Sequence, residues 1–350
     1  MIFDYPTQFP ADDVEALVPD AETARKLVGE RRPDLLALLQ HRRDRFARLI
    51  EASPGAPVRA AEDAVLMAFC RMAYRHGSWG RDFHHYHNEE HIFEILGPRL
   101  ERLIDSVGVA GLSLRAWFLL ALFAAAHDLR QREATQFSAG IGSNERASIE
   151  ETFRIMQQCG FTAERNAEVF LSTELMIAGS TFDARPPPPK YEYNSADIIV
   201  QSGGALAQKL EVKLDKHVAG WRDDPRIAEA LELALIAADL DTANVAETFP
   251  LYMASAERLC LEREMRSHRD TASPDSAQSM LKFLTTGQEH YFFDLHRFSS
   301  AAGRRTFAEA KQANVEPIRF LIRALPERLP EPANGEEVLA EFRRIVEERG

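Results

Sequence analysis

Two histidines four residues apart, His87 and His91 in Tyr86-His87-Asn88-Glu89-Glu90-His91, have the types and spacing to do chemistry. On a helix an i, i+4 pair lies on one face, one turn above the other, so both side chains reach one small object. Asn88 is a good N-cap, and Glu89 and Glu90 suit the positive end of a helix dipole. That puts His91 inside a helix and His87 just ahead of it. Alone, such a pair is as readily an accident of a polar surface. Two later positions raise it above that: His127-Asp128, at the end of an apolar run, and Asp239, in Ala237-Ala238-Asp239-Leu240. Imidazoles and carboxylates at the ends of apolar helices lose hydration and need partners, and a divalent metal ion serves both. One small object that such a set could hold is a metal-bound phosphate. The ion polarises phosphoryl oxygens and lowers the pKa of water, and a histidine of near-neutral pKa protonates a poor alkoxide leaving group.

Helices must position these groups. Leu114 to Asp128 is apolar on all sides and must run through the centre of the fold. Apolar spacing at Ile92, Ile95, Leu96, Leu100 and Leu103 predicts a helix over about 89–106, and another covers about 59–76. Further helices are predicted from Asn144 to Cys159-Gly160, where glycine is the stop, from Thr162 to about Ala178, and from Pro225 to Asp239. Later ones cover about 249–266, 276–297, 306–325 and 335–348. Ahead of the break Ser53-Pro54-Gly55-Ala56-Pro57, residues 13–28 and 33–51 form an N-terminal helical layer. Loops are expected at 130–142 and at 179–194, the latter carrying Pro186-Pro187-Pro188-Pro189 as a surface excursion. With no strand and no internal repeat, the class is all-α. The expected organisation is an N-terminal extension (1–55), a catalytic core (56–300) and C-terminal helices (301–350).

Composition narrows the function. The 350 residues are 45% hydrophobic and 27% charged, average for a globular protein. A net charge of -12 disfavours a nucleic-acid duplex or an anionic membrane as partner, since both reward a basic surface. It leaves a small acidic substrate open if a metal supplies local positive charge. Cys70, Cys159 and Cys260 are odd in number, far apart and outside any CxxC pattern, so a disulfide frame is not expected and a reducing cytoplasm fits. The first residues carry neither the basic leader nor the apolar stretch of a signal peptide, and the run Ala116 to Ala126 is too short to span a bilayer.

The order YHNxxH, then HD, then a late Asp in an apolar context resembles the HD superfamily of metal-dependent phosphohydrolases. The likeness is greatest to its class I cyclic nucleotide phosphodiesterase branch and to bacterial predicted phosphohydrolases with a YHNxxH signature. It covers roughly Tyr86 to Asp241. The resemblance implies a helical HD core with helical additions at both ends, and a divalent ion (Zn, Mn, Fe, Co or Mg) on His91, His127, Asp128 and Asp239. It makes His87 the acid that protonates the leaving oxygen, and Glu145, in Ser143-Asn144-Glu145-Arg146-Ala147, a glutamate near the reacting water. The implied substrate is a small-molecule phosphoester, a nucleotide or cyclic nucleotide.

The departures also carry information. Phosphodiesterases of that branch continue HDxxHxG, where this chain reads His127-Asp128-Leu129-Arg130-Gln131-Arg132. Between Asp128 and Asp239 the sole histidine is His217, in a charged segment that reads as a solvated face. A second metal would therefore lean on Asp128 as a bridge and on water. HD-type di-iron oxygenases need additional histidines after the HD pair, and their near absence argues against that class. A non-catalytic HD sensor of metal or nucleotide has no use for His87. Arg130 and Arg132, as lone loop arginines, and Gln288, in Phe283-Leu284-Thr285-Thr286-Gly287-Gln288, stay outside the expected site.

Overall fold

The computed structural model describes residues 9–131, 142–183, 204–331 and 333–350. In chain order its helices are α1 (Asp13–Leu17), α2 (Ala21–Arg31), α3 (Pro33–Arg45), α4 (Ala47–Glu51), α5 (Val58–Arg75), α6 (Glu89–Glu94), α7 (Leu100–Val107), α8 (Leu114–Ala126), α9 (Ser143–Gln158), α10 (Ala167–Ser180), α11 (Leu210–His217), α12 (Pro225–Asp241), α13 (Phe249–Arg266), α14 (Pro274–Lys282), α15 (Ala301–Ala313), α16 (Val315–Arg328) and α17 (Gly335–Arg349). The fold is all-α. The one extended pairing among the described residues is two residues long, Phe182–Asp183 antiparallel to Gly204–Ala205. Arg132, most of the expected 130–142 loop and the polyproline run lie outside the described residues.

Helix α8 is the axis of the fold because it has no polar face. All but two of its residues are buried, and Ser113 caps it by accepting the Ala116 N–H at 3.1 Å. Helices α5, α6, α9, α10 and α12 pack around it, so whatever follows its last turn is delivered into the interior. The closest pairing is α10 on α12. Gly179 permits it, since a side chain there would meet the Cβ atoms of Ala207 and Ala234 at 3.3 and 3.4 Å.

The helix expected over 89–106 is interrupted. After α6, residues Ile95–Arg99 form one π turn around Pro98, whose missing N–H and ring break the regular ladder. The slip turns Arg99 inward, 1% exposed, to donate to Asp241 O at 2.7 Å and Leu240 O at 3.4 Å. A cation thus meets the negative end of α12, which is the favourable arrangement for a helix C-terminus.

The N-terminal helices share the core of the rest. Helix α2 packs on α5, and one hydrophobic cluster takes residues from Val18 through Ile345. Ionic contacts add to this. Fully buried Arg71 reaches Glu15 at 3.0 Å and Glu151 at 3.5 Å, and Arg75 reaches Glu151 at 3.0 Å. Removing one member of such a buried group leaves the others uncompensated. Glu151→Ala is expected to lower stability by about 3–5 kcal/mol, measured as a fall in the urea midpoint.

Candidate metal and acid site

Three helix ends meet at the site. His127 and Asp128 follow directly on α8, His91 sits in α6 after its Asn88 cap, and the last residue of α12 arrives from the opposite side. Asn88 accepts the Glu90 N–H at 2.9 Å and ties its own amide to His84 O at 2.7 Å, which fixes where α6 starts. Leu129 O is held by Arg75 at 2.8 Å, and the Arg130 N–H by Ser148 at 3.1 Å. The HD turn is therefore clamped on both sides.

The α12 residue that arrives is Asp241. Its Oδ1 lies 3.3 Å from His91 Nε2 and 3.3 Å from His127 Nε2, while Asp128 Oδ2 lies 3.7 and 3.0 Å from the same two nitrogens. Ligands about 2.1 Å from a tetrahedral ion are separated by about 3.4 Å, and these four histidine–carboxylate separations lie near that value. None of the ring nitrogens of His91 and His127 has a hydrogen-bond partner, and all four are buried. Orphaned imidazole nitrogens facing two carboxylates fit a divalent transition metal ion. His91, His127 and Asp128 form a compact group that could hold a metal ion, and Asp241 adds a carboxylate beside both histidines. The rings are wedged by Tyr86 against His91, centroids 4.5 Å apart, and Phe123 against His127, 4.8 Å apart.

The expectation for Asp239 is corrected. Its carboxylate accepts the Ser299 N–H at 2.7 Å, the Ser300 N–H at 2.8 Å and the Ser300 hydroxyl at 2.7 Å, and so anchors the start of α15. Gly303 makes room for it, since a Cβ there would collide with the Asp239 carboxylate. Burial pushes the Asp239 carboxyl up to about 6, against the pull of these donors. The reason for the exchange is helical rotation. Two residues are about 200° apart around an α-helix, so only one of Asp239 and Asp241 can face His91 and His127. The helix predicted to end at Asp239 runs two residues further.

His87 stands beside this cluster. Its ring centroid is 6.2 Å from that of His91, and its Nδ1 meets Glu262 Oε1 at 2.6 Å. Glu262, on α13 and 1% exposed, also accepts the Tyr86 and His87 backbone N–H groups at 2.8 and 2.9 Å. Burial opposes a charged His87, but the Glu262 and Asp128 carboxylates outweigh it and raise its pKa above the usual histidine value. Burial likewise opposes ionisation of Glu262, yet His87 holds its pKa well below the carboxylate range. His127 is raised well above normal by Asp128 and Asp241 despite burial, and burial lowers His91. Glu262→Gln keeps an acceptor for the two backbone N–H groups and removes the charge that raises His87. A group that must be protonated to act then loses its proton at lower pH, so the alkaline limb of a kcat/KM profile is expected to move to lower pH.

Gln131 lies three residues after Asp128. Its amide donates to Asp128 Oδ1 and its carbonyl accepts from Asn144 at 3.2 Å. Asp128 thus has one oxygen on the histidines and the other held by an amide. Glu145, in the first turn of α9, bonds Thr181; burial first, and then the Asp128 charge, raise its pKa. Arg130 is buried rather than solvent-facing, and its Nη1 lies 3.3 Å from Glu151. Gln288 is buried and accepts the Tyr252 hydroxyl at 3.0 Å.

Sequence reasoning missed Asp241 and Glu262. A signal existed for Asp241: Ala234, Ala237, Ala238 and Asp241 follow an i, i+3, i+4, i+7 stripe of small residues on one face of α12. For Glu262, one acid among several in Leu261-Glu262-Arg263-Glu264, nothing local marks it.

Compared with protein-family models and with curated proteins, the chain matches none of either. No helix among the described residues is long and apolar enough to cross a membrane.

Proposed function

We propose that the protein is a metal-dependent phosphohydrolase acting on a small phosphoester, a nucleotide or cyclic nucleotide. The observation that carries this reading is His87: an imidazole beside four convergent metal donors, with its Nδ1 committed to a buried carboxylate instead. A sensor that only held an ion would have no need of that arrangement. His91, His127, Asp128 and Asp241 would hold the ion, which when bound polarises the phosphoryl group and makes water nucleophilic at neutral pH.

The remaining steps belong to the chain. Glu262 fixes the proton on His87 Nδ1 and stabilises the charged imidazolium, which leaves Nε2 to donate to the departing alkoxide. Glu145, whose carboxyl is raised by partial burial and by the Asp128 charge, is the residue proposed to exchange a proton with the reacting water. Tyr86 and Phe123 keep the two ligating rings in place and exclude water from their faces. The spacing of the donors and the contact of Gln131 with Asp128 support one firmly held ion.

The test is turnover by metal-loaded protein on cyclic and linear nucleotides and on simple phosphoesters, read by phosphate release and chromatography. Metal-dependent cleavage of at least one class is expected. No cleavage of any class by protein shown to carry its metal would overturn the reading.

A further inference from the structure

We propose that Lys311 is a site of reversible carbamate formation, at which its amine adds carbon dioxide and the neighbouring Arg297 guanidinium pairs with the carboxylate so formed. Lys311 stands near the end of α15 and is half-buried. Its Nζ donates to His296 O at 3.1 Å and lies 4.7 Å from the centroid of the buried Phe292 ring. Arg297, which comes two residues after the π turn His290–Leu295, donates to the same oxygen at 2.8 Å and to Phe293 O at 2.9 Å. Two cationic groups thus share one carbonyl oxygen. Among the described residues no carboxylate lies within 4.0 Å of either, although the chain as a whole carries a net charge of -12.

Such a pair is relieved in two ways: one member gives up its proton, or an anion joins it. Carbamate formation does both. Lys311 is the member that can give up a proton, since a guanidinium stays charged in proteins. Burial, and after it the Arg297 charge, lower the Lys311 amine to about 8. At pH 7.4 about a fifth of such amines are neutral, against about one in a thousand for an ordinary lysine. His296 adds no charge of its own, because burial first, and then Lys311, lower its imidazole to about 3.

In the reaction the lone pair of neutral Nζ attacks the carbon of CO₂. An N–C bond forms, one C–O π bond breaks with its electron pair passing to oxygen, and the surplus proton on nitrogen leaves to solvent. Neither oxidant nor cofactor is required. The product carries one negative charge where the ammonium carried a positive one, so two facing cations become an ion pair. Arg297 commits Nη1 to the two carbonyls, which leaves Nε and Nη2 as the fork of donors that suits a carboxylate. The modification would sit on the segment packed against the end of α12, where His296 Nε2 meets Thr242 Oγ1 at 3.2 Å.

The experiment equilibrates full-length protein with ¹³C-bicarbonate near neutral pH and looks for a carbamate signal by ¹³C NMR. Carbamates are then trapped by alkylation with triethyloxonium and placed by peptide mass spectrometry. The trapped group is expected on Lys311 at about tenfold or more the occupancy found on the exposed Lys213, Lys216 and Lys282. The α-amino group of the expressed chain serves as the positive control for trapping. Arg297→Gln, at an exposed position, should lower the Lys311 occupancy about fivefold or more, because it both raises the amine's proton affinity and removes the carbamate's partner. Arg297→Lys should restore part of it. Circular dichroism checks that each variant is folded. Occupancy at Lys311 no higher than at the exposed lysines overturns the proposal, and so does occupancy that Arg297→Gln leaves unchanged.

Discussion

Asp241→Asn is expected to lose the ion at His91 and His127 and to lose turnover with it, whereas Asp239→Asn keeps both. The first substitution removes the one carboxylate oxygen equidistant, at 3.3 Å, from Nε2 of both histidines. An amide presents a weaker donor there and no charge to balance the ion. Asp239 touches neither histidine; its loss acts on α15 through the Ser299 and Ser300 N–H groups. Truncation to Asp239→Ala is expected to cost about 1.5–3 kcal/mol of stability, the range for hydrogen bonds to a charged group, at unchanged metal content. Elemental analysis and urea denaturation of the two variants separate the effects. Metal loss in the Asp239 variants with retention in Asp241→Asn would reverse the assignment.

His87→Ala is expected to retain metal and fold while losing about 10²–10⁴-fold in rate on substrates with alkoxide leaving groups, the usual worth of general acid catalysis. On p-nitrophenyl esters the loss should be much smaller, because that leaving group departs without a proton. The expectation rests on the position of the ring: near His91, yet bonded through Nδ1 to Glu262. Equal losses on both substrate types, or release of the metal, would make His87 a ligand or a structural residue. Glu262→Gln gives a graded version of the same test, since it alters the acid's charge partner and leaves the imidazole present.

What the sequence made legible was mostly local. An apolar run without a polar face can only be a central helix, and the residues after it, His127 and Asp128, are buried at the site as that implies. Asn88 caps α6 as its type predicts, and Phe249–Arg266 is a single helix with the expected ends. The failures have two physical origins. Helix ends are poorly encoded: with α12 taken to stop two residues early, the wrong aspartate turned toward the histidines. Distant partners are not encoded at all by local pattern. Glu262 and Gln131 matter through what they meet in space, and neither stands out by type or by spacing from its neighbours. Pro98 was visible, but its consequence, a π turn that swings Arg99 under the end of α12, depends on what packs on that side.

Glu262 binds the backbone and side chain of His87 across 175 residues of chain. During synthesis His87 therefore lacks this partner until α13 has left the ribosome. Asp241, the last of the four proposed ion donors in the chain, is made before Glu262, and contacts of this sequence separation form late because their closure entropy must be met before the contact stabilises anything. On the proposed reading, the donors that would hold an ion are thus complete in the chain one helix before the carboxylate that sets the charge of His87.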